Sequence, residues 1–326
     1  MECRWTIGVI LLVWIACGHA CTYPNRCVAN NGKCIKPAVV CIDQLRYSCG
    51  PTEVCCERGG AQMEDLPLDP MDYAQNGEFP WTIALFSRGS FFGGGSLIAS
   101  GVVLTAAHLL LSKTSDEIVV RAGEWDMASV DEPQRHQERR VVRVARHEDF
   151  QYKTGANDIA LLYLDSPFEL KDDIQSICLP LQGASIDQTH CLVSGWGKRF
   201  FNDSQVSSIQ KKVELPIVNR GDCQNMLRKT RLGARFQLAS SLMCAGGEKD
   251  KDVCNGDGGS ALVCSPDVIF ARFQQVGIVA WGVGCGRPNV PSTYTNVSMF
   301  REWIDRNLKS NSVELLRNCI PIHPRI

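Results

Sequence analysis

Two short segments of the chain place acid–base side chains beside apolar runs, and a third segment is a glycine-rich loop. His108 ends an apolar run that begins at Val102, and Asp158 precedes a second apolar run. A histidine takes a proton from a nucleophile when an aspartate fixes its tautomer, so this pair predicts acyl-transfer chemistry. The loop Cys254–Cys264 follows, and Ser260 is its only hydroxyl side chain. A lone histidine after a strand is usually structural, so the prediction depends on all three segments together.

In this order, the three segments resemble the catalytic segments of chymotrypsin-like (S1) serine proteases. The loop of that family reads C-x-G-D-S-G-G-P-L-V-C, and here it reads C-N-G-D-G-G-S-A-L-V-C. The resemblance implies that His108 is the general base, that Asp158 is the buried carboxylate and that Gly256 belongs to the oxyanion hole. Gly258 stands where the family has its nucleophilic serine. Since glycine has no hydroxyl group, we expect a pseudo-protease in which His108 and Asp158 are remnants of a catalytic triad.

Ser260 is the alternative nucleophile, and a residual serine endopeptidase is the corresponding alternative function. It lies two residues after Gly258. A shift of this size moves a side chain several ångströms along a fixed loop, whereas catalysis by proximity is lost over about 1 Å of misplacement. We therefore expect that Ser260 does not replace the missing serine.

The activation sequence of the family is also missing. Active members are cut before Ile-Val-Gly-Gly, and the new amine then pairs with the aspartate before the serine and shapes the oxyanion hole. Counting ten residues to Gly77 places Leu68-Asp69-Pro70-Met71 there, after Pro67 instead of an arginine or lysine. We therefore expect Asp257 to have no cationic partner.

The resemblance also locates the substrate cleft. Asp252 stands where trypsin-like enzymes carry the carboxylate that selects arginine or lysine, and the alternative is a solvated loop charge. Trp281 and Gly282 belong to a segment that forms a wall of the cleft. Ser292 replaces a pocket-lining glycine, so its side chain is expected to narrow the pocket.

The region from Phe79 onward predicts a pair of all-β barrels, because short β-rich runs alternate there with Gly, Pro and Asp. These runs are Ile118–Ala122, Arg140–Val144, Ile159–Leu164, Leu192–Ser194, Val276–Ala280 and Thr293–Val297. Four apolar residues share one helical face and predict a closing helix, namely Phe300, Trp303, Ile304 and Leu308. The resemblance covers residues 76–309 and implies a mostly β fold, a chymotrypsin-like double β-barrel with a C-terminal helix.

Residues 1–20 predict a secretory signal, because a charged start at Arg4 precedes an apolar core and the small-residue end Gly18-His19-Ala20. The apolar run Ile7–Ile15 is shorter than the ~20 residues that a membrane anchor, the alternative, requires. The net charge of −1 provides no basic field for nucleic acid or an anionic membrane. We therefore expect a secreted, extracellular protein.

Of the 17 cysteines, fifteen lie after the signal, which in a secreted chain predicts disulfides. Seven fall within residues 21–56, before a linker over 57–75, and this density predicts a small stapled domain with little core. Its ending, Cys49-x5-Cys55-Cys56, resembles the clip domains of arthropod serine proteases, although clips usually have six cysteines. A zinc site is the alternative, but no paired C-x-x-C or histidine cluster supports it, so no metal or cofactor is expected.

Family pairing implies three disulfides in the protease-like domain, namely Cys191–Cys264, Cys223–Cys244 and Cys254–Cys285. It also implies that Cys178 bonds to a clip cysteine. Gly93 and Leu109 occupy the two places of a disulfide that the family usually has beside its histidine. Cys319, in the tail 310–326, is then the odd cysteine. We expect it to form an intermolecular disulfide, and the alternative is a bond within the chain.

Asn202 and Asn296 begin sequons and are candidate glycosylation sites. Taken together, the patterns resemble inactive clip-domain serine protease homologues of arthropods. The resemblance implies a cofactor or regulator of an extracellular proteolytic or innate immune cascade, such as prophenoloxidase activation. Its expected partners are cascade proteases or prophenoloxidase-type proteins. The other open functions are microbial-surface recognition or adhesion and the residual endopeptidase.

Overall fold

The structure is a computed structural model that describes residues 32–35, 54–57, 73–129, 135–185, 190–265, 273–311, 313 and 315. The chain divides into a smaller unit, Met1–Asp72 with Arg325–Ile326, and a larger unit, Tyr73–Pro324. The described part of the smaller unit is a two-stranded antiparallel sheet of β1 (Gly32–Ile35) and β2 (Val54–Glu57). The predicted signal, most of the predicted clip-like domain and linker, and Cys319 lie outside the described residues.

A closed barrel of six strands forms the first half of the larger unit. Its strands are β3 (Thr82–Ser87), β4 (Ser90–Ala99), β5 (Val102–Thr105), β6 (Ile118–Ala122), β7 (Gln137–Arg146) and β8 (Ala160–Leu164). Their order around the barrel is β3-β4-β5-β8-β7-β6. In β6, Ile118, Val120 and Ala122 are buried and the residues between them are half-buried. This period of two is typical of a strand with one face on a core.

A second closed barrel of six strands follows. Its strands are β9 (His190–Gly195), β10 (Lys211–Val218), β11 (Leu242–Gly246), β12 (Ala261–Cys264), β13 (Gln274–Trp281) and β14 (Pro291–Asn296). Their order around the barrel is β10-β11-β14-β13-β12-β9. Helix α1 (Arg220–Arg228) lies between β10 and β11, and no pattern in the sequence predicts it. The Asn219 side chain accepts a hydrogen bond from Gly221 N at 2.8 Å and so begins the helix.

The two barrels share one apolar core. Leu161 of the first barrel, Ile278 of the second and Trp303 belong to a single buried cluster. Polar contacts also join the barrels, and Ser96 Oγ donates a buried hydrogen bond of 2.6 Å to Gln275 Oε1. The cleft that holds the candidate site therefore lies between halves that are packed together.

Helix α2 (Arg301–Lys309) closes the unit, as the sequence predicts. Trp303, Ile304 and Leu308 are buried, and Phe300 precedes the helix in a buried 3₁₀ turn. The predicted double β-barrel with a C-terminal helix is thus confirmed. Within the described ranges, none of the helices has the length and apolar character needed to cross a membrane.

Strand β4 was absent from the predicted runs because its centre is Gly93-Gly94-Gly95, a composition typical of a turn. In the structure, neighbouring segments approach the backbone of these glycines too closely to leave room for a side chain. A Cβ atom at Gly94 would lie 2.1 Å from Ser260 Oγ, and one at Gly95 would lie 2.7 Å from a methyl group of Val103. The glycines therefore let the loop of the second barrel pack directly on a strand of the first.

Candidate functional site

His108 and Asp158 meet at the edge of the first barrel. His108 lies in a 3₁₀ helix (Ala107–Leu110) just after β5, and Asp158 lies just before β8, which pairs with β5. Asp158 Oδ2 is 2.7 Å from His108 Nδ1, and Asp158 Oδ1 accepts from the backbone N of His108 at 2.8 Å. Asp158 is buried. The carboxylate therefore fixes the ring by two contacts and leaves Nε2 to face the loop of the second barrel.

Gly258 lies opposite that nitrogen. A Cβ atom built on Gly258 would lie 3.2 Å from His108 Nε2, so a side chain here would touch the imidazole. The backbone of Gly258 is fixed by its carbonyl oxygen, which accepts from Gly94 N at 2.8 Å. The structure thus brings together His108, Asp158 and Gly258, with no hydroxyl group at the third position.

The backbone around Gly258 presents two amide groups. Gly256 has a φ of +102°, and a Cβ atom on it would lie 2.9 Å from Gly197 Cα, so the tight loop requires glycine. The N–H groups of Gly256 and Gly258 donate to no other group among the described residues. Two such donors are the elements of an oxyanion hole.

Asp257 has a cationic partner, and the expectation that it has none was wrong. Lys211 Nζ lies 2.5 Å from Asp257 Oδ2, and the Asp257 side chain is fully buried. The same oxygen accepts from Cys254 N at 2.9 Å, and Oδ1 accepts from Gly197 N at 2.8 Å. Lys211 is 46 residues away in sequence and was missed because no local pattern links the two. The sequence pattern pointed only to the cation that cleavage would create.

Ser260 is not placed to act as a nucleophile. It is 1% exposed, and its hydroxyl group has no hydrogen-bond partner in the described part of the chain. The hydroxyl oxygen packs against the backbone of Gly94 and Gly195. A nucleophilic hydroxyl needs a base within hydrogen-bonding distance, and His108 does not provide one to Ser260.

The four residues expected to form the specificity region also lie close together in the second barrel. Ser292 Oγ is 2.9 Å from the place where a Cβ atom of Gly282 would be, so the serine reaches across toward the neighbouring strand. Trp281 packs edge-on against Phe236, with ring centroids 5.9 Å apart. Its indole nitrogen would be 2.5 Å from a Cβ atom on Gly155.

Asp252 is partly buried beside Ser292 rather than being a freely solvated loop charge. Burial raises the pKa of its carboxyl to about 6, although hydrogen bonds from Ser292 and from the amides of Gly286 and Val253 oppose the rise. The amide contacts measure 3.1 Å from Gly286 and 2.9 Å from Val253. Ser292 therefore both fills space beside Gly282 and donates a hydrogen bond to the Asp252 carboxylate.

The second barrel contains the three disulfides that family pairing implies. They are Cys191–Cys264, Cys223–Cys244 and Cys254–Cys285. Cys178 is also disulfide-bonded, and the clip cysteines proposed as its partners lie outside the described side chains. Where a disulfide is absent, a Cβ atom on Gly93 would lie 2.7 Å from a methyl carbon of Leu109. The leucine side chain therefore fills the place of that cross-link.

The two candidate glycosylation sites differ in access. Asn202 is exposed. Asn296 is half-buried, and its Oδ1 accepts from the backbone N of Ser298 at 3.2 Å and from Ser298 Oγ at 2.9 Å. Asn296 thus caps a 3₁₀ helix, and its side chain is already engaged in the fold.

A family profile described as Trypsin matches residues 71–304. The chain belongs to the trypsin family. It is 43% identical to phenoloxidase-activating factor 2 of Galleria mellonella, over 74% of this chain and 84% of the relative. It is also 43% identical to inactive CLIP domain-containing serine protease A3 of Aedes aegypti, over 71% of this chain but only 49% of the relative.

A third relative is inactive CLIP domain-containing serine protease A28 of Anopheles gambiae, with 35% identity over 72% of this chain and 62% of the relative. The chain thus spans about half to two thirds of the two inactive relatives. These similarities support the predicted resemblance to clip-domain serine protease homologues. In this trypsin-family domain, the described site keeps an imidazole–carboxylate pair and has a glycine opposite it.

Proposed function

We propose that this protein is a secreted, non-catalytic serine protease homologue that acts as a cofactor or regulator in an extracellular proteolytic cascade of insect innate immunity. Prophenoloxidase activation is the proposed cascade, with cascade proteases or prophenoloxidase-type proteins as partners. The observation that carries the proposal is Gly258, which faces His108 Nε2 without a side chain.

The chemistry of acyl transfer explains why Gly258 supports a non-catalytic role. Without a hydroxyl group, no acyl-enzyme can form at this position. In subtilisin, removal of the nucleophilic serine alone lowers kcat by about 10⁶-fold, which corresponds to roughly 8 kcal/mol of barrier. The buried Ser260 offers no replacement. A loss of this size ends useful proteolysis while the fold and cleft persist.

The named relatives support the cascade role. One is named a phenoloxidase-activating factor and two are named inactive proteases, so a role in activation and an absence of catalysis both occur among similar proteins. Secretion is supported by the signal-like residues 1–20 and by the disulfides of the second barrel, since such bonds persist in oxidising compartments.

A reconstitution assay tests the proposal. Phenoloxidase activity is measured from prophenoloxidase and an activating clip-domain protease, with and without the purified protein. The wild type is expected to raise the phenoloxidase yield and to remain unlabelled by a fluorophosphonate probe. The matched control is His108→Ala, which removes the remaining base and is expected to support the same yield. Labelling of the wild type, or loss of the effect in His108→Ala, would show that catalysis is involved. No effect of the wild type would remove the proposed role.

A further inference from the structure

The Lys211–Asp257 ion pair joins a half-buried lysine to a fully buried carboxylate. The side chain of Asp257 is fully buried and that of Lys211 is 12% exposed, and their charged atoms are 2.5 Å apart. A buried carboxylate is retained only when a cation or several donors compensate it. Here one ammonium group and the amides of Gly197 and Cys254 do so. The ion pair is therefore a built part of the loop and not a surface contact.

The position of the ion pair lets it fix the backbone of the loop that contains Gly256 and Gly258. Asp257 lies between Gly256 and Gly258, whose two N–H groups have no other acceptor among the described residues. The three contacts to its carboxylate fix the direction of the Asp257 side chain and, through it, the loop backbone. Gly197 is tightly fitted here, since a Cβ atom on it would lie 2.3 Å from Asp257 Cγ. The amides that form an oxyanion hole are therefore held by the carboxylate.

The start of β10 aims Lys211 at this carboxylate. Its backbone pairs with Gly195 on one side and with Tyr73 on the other. Because neighbouring strand residues point to opposite faces, Lys212 points away and instead pairs with Glu78, at 2.7 Å. Two adjacent lysines thus make two separate ion pairs, and only one of them reaches the loop.

We propose that Lys211 is a positioning residue that substitutes for the amine which trypsin-family enzymes gain on activation cleavage. The ammonium group of Lys211 is present in the uncut chain, so the loop with Gly256 and Gly258 is ordered without cleavage. This proposal does not depend on the cascade role, because it concerns only the state of the loop.

Restoring the serine makes the state of the loop measurable. In uncut Gly258→Ser, a fluorophosphonate probe reports on the loop: the serine oxygen attacks phosphorus, fluoride leaves, and His108 takes the proton. Glycine at 258 does not have a positive φ, and the new Cβ atom would need only a small shift of the imidazole. We expect Gly258→Ser to be labelled without any cleavage of the chain. Adding His108→Ala should abolish the labelling, which shows where the probe reacts.

The decisive comparison adds one lysine substitution to Gly258→Ser. Lys211→Met should slow labelling by about 100-fold or more, the loss that follows removal of one oxyanion donor. Lys212→Met, the matched control, should change the rate by less than about fivefold, as expected for a partly exposed ion pair. Lys211→Arg keeps the charge and should restore most of the rate, which a merely space-filling role would not explain.

Two results would overturn the proposal. One is an absence of labelling in folded, uncut Gly258→Ser, which would mean that the loop is not ordered. The other is a labelling rate with Lys211→Met within fivefold of the rate without it. If Lys211→Met prevents folding, the double variant with Lys211→Met and Asp257→Asn takes its place in the comparison, because it leaves no unpaired charge buried. The same loss is expected there, and full retention would equally refute the role of Lys211.

Discussion

The candidate site has one wall in each barrel, and the two walls differ in how much of the trypsin-family pattern they contain. The first-barrel wall keeps His108 and Asp158 in hydrogen-bonding contact. The second-barrel wall has Gly258 opposite the imidazole, Ser292 beside Asp252 and an internal lysine on Asp257. One wall therefore contains an imidazole–carboxylate pair, and the other wall faces this pair with a glycine.

The difference follows from what each side chain does for the fold. Asp158 accepts a hydrogen bond from the backbone of His108, and its carbonyl oxygen accepts from Thr295 Oγ1 of the second barrel at 2.8 Å. Removing the carboxylate would leave the backbone N–H of His108 without its acceptor, whereas the contact of Thr295 with the Asp158 backbone would remain. At position 258 the structural contact is made by the backbone, through the bond from Gly94 N, so the side chain is dispensable to folding. The side chain of Asp158 therefore makes a structural contact, whereas position 258 makes its contact without one.

Lys211→Met is expected to have the largest effect on stability, because the second wall depends on its internal ion pair. Breaking a buried pair leaves an uncompensated charge and costs about 3–5 kcal/mol. Chemical denaturation followed by intrinsic tryptophan fluorescence measures the change. Lys212→Met is the control and should lose at most ~1 kcal/mol. Equal losses of unfolding free energy in the two variants would mean that the Lys211–Asp257 contact stabilises the fold no more than the Lys212–Glu78 contact does.

Asp158→Ala tests whether the first wall is structural. The variant leaves the His108 backbone N–H without its acceptor, and we expect a loss of about 1–3 kcal/mol. Denaturation of Asp165→Ala, where the carboxylate is exposed, should show a change within about 0.5 kcal/mol. An unchanged stability of Asp158→Ala would mean that the His108–Asp158 contact does not stabilise the fold.

Asp252, in the second wall, makes a pH-dependent contribution to the free energy of unfolding. Its pKa is about 6 in the folded protein, above its ordinary value of 3.8, so the folded state holds the proton longer than the unfolded state. Stability relative to Asp252→Asn should therefore fall as pH rises from about 4 to about 6 and then level off. After allowance for the water that reaches a partly buried carboxylate, the change is roughly 1–2 kcal/mol. Urea unfolding at several pH values measures it, and identical profiles would contradict the burial of this group.

The smallest expected effects are at the two sequons. We expect a glycan at Asn202, which is exposed, and none at Asn296, whose side-chain oxygen caps a 3₁₀ helix. Mass spectrometry of the secreted protein should show a shift that Asn202→Gln removes and Asn296→Gln does not. The stability of Asn202→Gln should change by less than about 0.5 kcal/mol. A glycan on Asn296 would mean that the cap opens before the fold is complete.

The sequence predicted those features that local pattern determines. The buried face of α2 and the alternation of β6 follow directly from periodicity. The pair of barrels followed from the spacing of the short β-rich runs, and the resemblance implied its chymotrypsin-like form. The approach of His108, Asp158 and Gly258 followed from the order of three motifs. The fold and the main residues of the site were therefore predictable.

The remaining features depend on contacts between distant segments. Lys211 is an ordinary strand lysine until β10 is placed beside the loop of Asp257, 46 residues later. The glycines of β4 resemble a turn until Ser260 packs against them. Helix α1 has only two buried residues, Cys223 and Leu227, so its apolar pattern is weak. Such features require the tertiary structure.

The packing of Leu109 on Gly93 has a consequence for how the two walls respond to a reducing agent. Residues 57–177 contain no cysteine, so the strands of the first barrel contain no disulfide that a thiol could reduce. Its histidine segment is held by the packing of Leu109 on Gly93 and by the hydrogen bonds of His108 with Asp158. The three cross-links of the second barrel include Cys254 and Cys264, which flank the loop of Gly258. Reduction by a thiol would therefore loosen the wall that contains Gly258 and leave the contact between His108 and Asp158 intact.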